Sequence, residues 1–171
     1  MHKPDYSGFF NGYARLAERT DIDLVVHMGD YIYDFVDEDE EIRVPVPYPA
    51  DPQTIDEWRD RHEYYLMDPD LRDARANMPW VLMWDNHDAE VQSPSAGKAA
   101  FLEWVPVRVP DTTLPEQIFR RLVFGDLFDL HMLDMQYFRD VDTIAPGETS
   151  VLGTTQYNWL VNSWQASTTK W

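Results

Sequence analysis

The sequence predicts an α/β protein, a layered sandwich of helices on a mixed sheet, and three observations lead there. Two short apolar runs, Leu24-Val25-Val26 and Trp80-Val81-Leu82-Met83-Trp84, have the length and continuity of parallel strands covered on both faces. Stretches with apolar residues three and four apart stand before, between and after these runs, as the helices of an α/β layer require. Farther on, Arg120 to Phe124 and Leu127 to Leu133 flank Gly125-Asp126, the pattern of an antiparallel hairpin. Parallel and antiparallel strands together make the sheet mixed.

Composition narrows the function. At 171 residues the chain is long enough for one domain with a proper core, and 44% hydrophobic with 14% aromatic residues is a globular composition. Thirty-one acidic against fourteen basic residues give a formal charge of -17. That charge repels a phosphate backbone, which argues against generic nucleic-acid binding. There is no cysteine, so disulfides and thiolate chemistry are excluded. No apolar segment approaches membrane-spanning length, and the first residues carry no basic-then-apolar leader, so no transmembrane segment and no signal peptide are expected in these residues.

In chain order, Met1 to Phe10 reads as a loop, and Tyr13, Leu16 and Ala17 share a face of a short helix from Asn11 to Arg19. Past Tyr33 the acidic run Asp37 to Glu41 and the prolines at 45, 47, 49 and 52 rule out regular structure. A long loop of this kind reads as a functional flap or an insertion; its acidic run suits either a cation or plain solvation. Thr54 or Asp56 caps a packing helix that carries Ile55, Trp58, His62, Tyr65 and Leu66. Asp68-Pro69-Asp70 punctuates, and Leu71 to Asn77 forms the next short helix. Beyond the second strand, Gly97 to Val105 is helical, and Pro115 opens a short helix through Ile118. The hairpin's second strand places Leu127, Asp129, His131 and Leu133 on one face, which makes His131 a strand-face residue before it is a ligand. After a loop through Pro146 and Gly147, a threonine of Gly153-Thr154-Thr155 caps a last helix through Gln156, Trp159, Leu160, Ser163 and Trp164. The chain stops at Lys170-Trp171 without a closing element.

The chemistry sits at the two strand ends. Leu24 to Val26 leads to Gly29-Asp30, with Tyr33 three residues on, and Trp80 to Trp84 empties into Asp85-Asn86-His87-Asp88. In open α/β sheets ligands collect beyond the carboxyl ends of the strands. Carboxylate, phenol and amide oxygens suit hard cations, and imidazole binds metals or moves protons near neutral pH. Alone, the first stretch is equally a strand ending in a turn, with Asp30 capping a backbone group, and the second is more often only a turn. Their recurrence in one chain favours a shared site. Asp134, Gln136 and Arg139 form a third polar group at the end of the hairpin.

Four separated blocks then fall in order along nearly the whole chain: Gly29 through Tyr33; Trp80 through Asp88 with its Trp84-Asp85-Asn86-His87-Asp88 core; Leu133-Asp134 with Tyr137-Phe138-Arg139; and Leu152-Gly153 with Gln156, Trp159 and Leu160. Together they resemble PhoD-type alkaline phosphatases, within the calcineurin-like metallophosphoesterases, and the Gly-Asp-x-x-Tyr piece is similar to that of purple acid phosphatases. The resemblance implies a metallophosphoesterase-type layered α/β sandwich and hydrolysis of phosphate monoesters and diesters by a metal-bound hydroxide. It makes Asp30 a catalytic, metal-bridging carboxylate, Tyr33 a phenolate ligand to Fe3+, and Asn86 a ligand to a second metal, Ca2+ or another divalent ion. It also makes His87 the group that contacts the phosphate or protonates the leaving oxygen, and Arg139 the substrate-binding cation, with Asp134 orienting it. Family members carry a ligand upstream of the first block and aspartate and histidine ligands beyond the last, and often Arg at the position of Gln136 or Asp at that of Asn86. The expectation is therefore that residues 1–171 are an incomplete domain, truncated at both ends, with part of a site and negligible activity alone, from a periplasmic or secreted enzyme. The other reading is a non-catalytic acidic module, binding cations or partners on the same fold.

Overall fold

The computed structural model describes residues 10–34, 52–89, 94–110, 113, 117–139 and 151–171. The chain divides into two compact units, Met1–Pro106 and Val107–Trp171. The acidic, proline-rich run and the loop through Pro146 lie outside the described residues.

In the first unit, helix α1 (Asn11–Ala17) leads to strand β1 (Val25–His27). Helices α2 (Ile55–Leu66) and α3 (Pro69–Asn77) carry the chain to strand β2 (Trp80–Leu82), which lies parallel to β1. A single 3-10 turn, Asn86–Asp88, precedes helix α4 (Pro94–Trp104). Parallel pairing needs a long crossover between the two strands, and α2 and α3 supply it. The register sets Val25, Val26 and His27 beside Trp80, Val81 and Leu82, and Met83 extends it by donating its N–H to the His27 carbonyl at 3.0 Å. Strand β2 is shorter than its apolar run, because Met83 and Trp84 are buried in the core beyond its paired residues. One face of β1 is less covered among the described residues than a continuous apolar run implies, with Val26 42% and Met28 82% exposed. The other face packs on rings: His27 stacks on Trp80 at 5.9 Å, and the Tyr13 hydroxyl meets His27 Nε2 at 3.2 Å.

Local chemistry explains the helix starts. Thr54, not Asp56, caps α2: its hydroxyl accepts the Glu57 N–H while Glu57 accepts the N–H of Thr54, a reciprocal capping box. Asp68-Pro69-Asp70 does more than punctuate, since Asp68 accepts the N–H groups of Asp70 and Leu71 and Pro69 sits in the first turn, where its missing N–H costs nothing. The core of this unit gathers Ile32, Trp58, Leu71, Leu82, Trp84 and Phe101, all essentially buried.

His62 of α2 is buried in the same core, its ring parallel to Trp104 at 6.1 Å and beside Tyr31 and Phe101. Burial, reinforced by the Arg75 cation and opposed by Glu103, holds its imidazole down to about 3. The unfolded chain protonates His62 near its ordinary value of 6.5, and the folded chain does not until far lower. This contribution to stability is therefore complete above pH 6.5 and is lost as the pH falls from there toward 3, at up to about 1.4 kcal/mol per unit. His62→Phe keeps an aromatic ring in place. Its urea midpoint is expected to fall less between pH 7 and pH 4.5 than that of the parent, and equal falls would remove His62 from the acid limb.

In the second unit, strands β3 (Arg120–Phe124) and β4 (Phe128–Met132) form an antiparallel hairpin, followed by helix α5 (Gly153–Gln165). The connection is three residues, not two, because Phe124 pairs with Phe128 and their rings stack at 4.5 Å. Gly125, at φ +60°, takes the first position of the turn that Leu127 closes by donating its N–H to the Phe124 carbonyl at 3.1 Å. Residues 117–119 are not helical; Ile118 and Phe119 are instead buried anchors, Phe119 meeting Trp159 of α5 at 4.9 Å. Leu152, not a threonine, occupies the cap position of α5 and makes no side-chain cap. The last residues do close on something: Trp171 exchanges backbone hydrogen bonds with Leu127 and Asp129 along the outer edge of β4. His131 is a strand-face residue, hydrogen bonded to Ser163 at 2.9 Å.

Candidate active site

The site begins where β1 and β2 release their chains side by side. Gly29 runs against Trp84 and Asp85 so closely that a Cβ there would lie 2.5 Å from the Asp85 Cβ. Its φ of +102° is also open only to glycine. Asp30 follows at φ +53°, the one described residue other than glycine with a positive φ. An aspartate held there carries about 1 kcal/mol of strain or more, which persists only where the surroundings over-determine it.

The surroundings are Asp88. Its side chain is wholly buried, Oδ1 accepting the N–H of Tyr31 at 2.8 Å and of Ile32 at 3.0 Å, and Oδ2 accepting the N–H of Asp85 at 2.9 Å. One carboxylate thus pins the loop after β1 to the turn after β2. Burial pushes it up to about 7 despite these backbone donors. Asp85 and Asp88 also make a capping box around the 3-10 turn. These two acids, grouped by sequence with the ligand-type residues, hold the turn together.

The result is a small constellation. The Tyr33 hydroxyl donates to Asp30 Oδ2 at 3.3 Å, and its ring stacks on the His87 imidazole at 4.4 Å with the planes 20° apart. His87 Nδ1 lies 2.6 Å from Oδ1 of the buried Asp34. A carboxylate only accepts, so Nδ1 carries the proton between them. Burial first, then the charge of Asp30 and the hydrogen bond to it, push the Tyr33 phenol up to about 12. Asp30 Oδ1 is buried and accepts no hydrogen bond among the described residues.

That oxygen is the test of whether a metal fits. A buried, unsatisfied carboxylate oxygen is rare and costly unless something cationic meets it. Carboxylate, phenol and amide oxygens are the donor set of a hard ion such as ferric iron or calcium. Asp30, Tyr33 and Asn86 fit such an ion in kind. In number they fall short of a closed shell, and among the described residues no three His, Cys, Asp or Glu side chains gather to hold a metal.

The structure therefore brings together Asp30, Tyr33 and His87 of the residues singled out by sequence. Asn86 stands in the same turn as His87, its backbone N–H capped by Asp85, and its side chain makes no polar contact among the described residues. Arg139 lies in the second unit, exposed and without an ion pair among the described residues. Asp134 makes no contact with it among the described residues; the Asp134 carboxylate caps the backbone of Gln136 and Tyr137, and its main chain is gripped by Gln156 at 2.6 and 2.8 Å. Sequence reasoning missed Asp34. Its signal was a carboxylate beside a candidate ligand in a chain whose candidate histidine needed an orienting partner.

A family model described as PhoD-like phosphatase matches residues 3–171. Alkaline phosphatase D of Bacillus subtilis (strain 168) is 28% identical over 199 aligned residues, covering 96% of this chain and 34% of the relative. A solved structure described as "Structure of PhoD" superposes with a TM-score of 0.78 at 28% identity, over 98% of this chain and 38% of that one. The chain thus spans little more than a third of the length of the relatives it matches.

Proposed function

From the premise that the chain belongs to the PhoD-like phosphatase family, we propose that it carries part of a metal-dependent site for hydrolysing phosphate monoesters and diesters, in an exported enzyme. The observation that carries the reading is the buried Asp30 oxygen that accepts no hydrogen bond among the described residues, held on a left-handed residue beside Tyr33 and the His87–Asp34 pair. Asp30, Tyr33 and Asn86 would hold the metals, Fe3+ and Ca2+ or another divalent ion. When bound, such ions supply Lewis acidity toward the phosphoryl oxygens and acidify water. The chain's own part is to fix groups around the ester. Asp34 holds Nδ1–H of His87 and favours a second proton on Nε2, which in that imidazolium form would either donate to a phosphoryl oxygen or give its proton to the leaving oxygen. Tyr33 keeps the imidazole plane in place by stacking. Arg139 is the proposed substrate-binding cation of the second unit. No described helix is long and apolar enough to cross a membrane.

Three oxygen donors fall short of the six to eight typical of calcium. Residues 1–171 alone are therefore expected to bind metal weakly and to turn over little. The test compares this chain with the complete gene product on p-nitrophenyl phosphate and bis-p-nitrophenyl phosphate, with Fe3+ and Ca2+ added and after chelation. Turnover by the complete product that chelation abolishes is expected. Brisk turnover by the 171-residue chain would overturn the partial site, and no turnover by either would overturn the hydrolase reading.

A further inference from the structure

We propose that Arg61 and Tyr65 of α2 are positioning residues for this site, gripping the backbone of Tyr33 and Asp34 so that both side chains engage His87. The inference rests on the reading of His87 as a group that meets the ester. Residues four apart share a helix face, and these two point at adjacent residues of one loop: the Tyr65 hydroxyl accepts the N–H of Tyr33 at 3.1 Å, and Arg61 Nη2 donates to the Asp34 carbonyl at 3.1 Å. The two gripped residues are the ones that hold the imidazole, Tyr33 on its face at 4.4 Å and Asp34 on its edge at 2.6 Å. A small shift of this one dipeptide therefore moves both supports of His87 together.

The chemistry of the grip is more than packing. Arg61 and Tyr65 are buried, and burying a guanidinium and a phenolic oxygen is costly unless each is satisfied. A helix needing only bulk at these positions would be served by Met and Phe. The first half of the loop is held from elsewhere: Asp88 takes the N–H groups of Tyr31 and Ile32, and Arg75 donates to the Tyr31 hydroxyl at 2.9 Å. The α2 pair holds the second half, the part that carries the imidazole's supports.

Tyr65→Phe is the clean test, because the ring keeps its place against Phe10 at 5.4 Å and only the acceptor is lost. In the complete gene product kcat for bis-p-nitrophenyl phosphate is expected to fall about tenfold with KM little changed, the mark of lost orientation. The ring-current shift that the stacked Tyr33 imposes on the His87 ring protons, assigned by their disappearance in His87→Gln, is expected to shrink well below the unfolding temperature. Arg61→Lys, which can still donate to the Asp34 carbonyl, is expected to retain more of both signals than Arg61→Met. A folded Tyr65→Phe with kcat and His87 resonances unchanged would overturn the proposal. If the parent protein hydrolyses neither ester, the functional reading fails separately, and the His87 resonances still decide: moved, they uphold the grip; unmoved, they overturn it.

Discussion

Asp88→Ala is expected to destabilise the first unit by about 3 kcal/mol, read as a lower urea midpoint with an unchanged slope. The change leaves the backbone N–H groups of Tyr31, Ile32 and Asp85 without their acceptor in a buried place, and each such orphan costs about 1–3 kcal/mol. A simple sum would exceed this figure. The sum is too large because burial outweighs these donors and pushes Asp88 up to about 7, so removing the carboxylate also removes a desolvation cost. Asp88→Asn sharpens the argument. Its single side-chain oxygen can serve either the Tyr31–Ile32 pair or Asp85, while its NH2 faces a donor on the other side, so a loss of about half is expected. Asp85→Ala, which removes only the cap of a one-turn helix, should cost about 1 kcal/mol. If Asp88→Ala cost no more than Asp85→Ala, the two loops would be held by something other than this carboxylate.

What the sequence shows of this site is its outline. Both strands, their order and their emptying into polar residues were visible because an apolar run followed by Gly-Asp or Asp-Asn-His is a local pattern. The helices were visible for the same reason, since Trp58, His62 and Tyr65 repeat at the spacing of one buried face. Roles inside the polar clusters were not. Asp85, Asp88 and Asp34 are all aspartates within a few residues of candidate ligands, and only the fold separates a cap, a clasp between loops and a partner of His87. That separation depends on pairs 53 to 57 residues apart, which no window along the chain can see. Strand ends were also misjudged, at Met83 and Trp84, because burial continues after the ladder stops. Of the short helix expected through Ile118, residues 117–118 are not helical: Pro115 only permits a helix start, and Ile118 and Phe119 serve as buried anchors.

His87→Gln is expected to lower kcat of the complete gene product by about 10²- to 10³-fold, with a smaller change in KM. The geometry narrows what the imidazole does. Asp34 fixes Nδ1 as the protonated nitrogen, and Tyr33 covers one ring face, so His87 acts through Nε2 alone. Two roles remain for that nitrogen, and the leaving group separates them. p-Nitrophenolate departs without a proton, whereas an alkoxide must be protonated as the bond to phosphorus breaks. If Nε2 delivers that proton, His87→Gln should cost at least tenfold more on an alkyl phosphate than on p-nitrophenyl phosphate. If it only hydrogen bonds a phosphoryl oxygen, the two losses should match, since glutamine can still donate there and the leaving group is not involved. Asp34→Asn probes the same nitrogen from behind. An asparagine presents either its oxygen or its NH2 to Nδ1, so it admits both tautomers and no longer favours the imidazolium, and its loss should follow the leaving-group pattern of His87→Gln at smaller size. Full activity of Asp34→Asn on alkyl phosphates would mean that tautomer control by this 2.6 Å contact is irrelevant to turnover, and that His87 is held for packing against Tyr33.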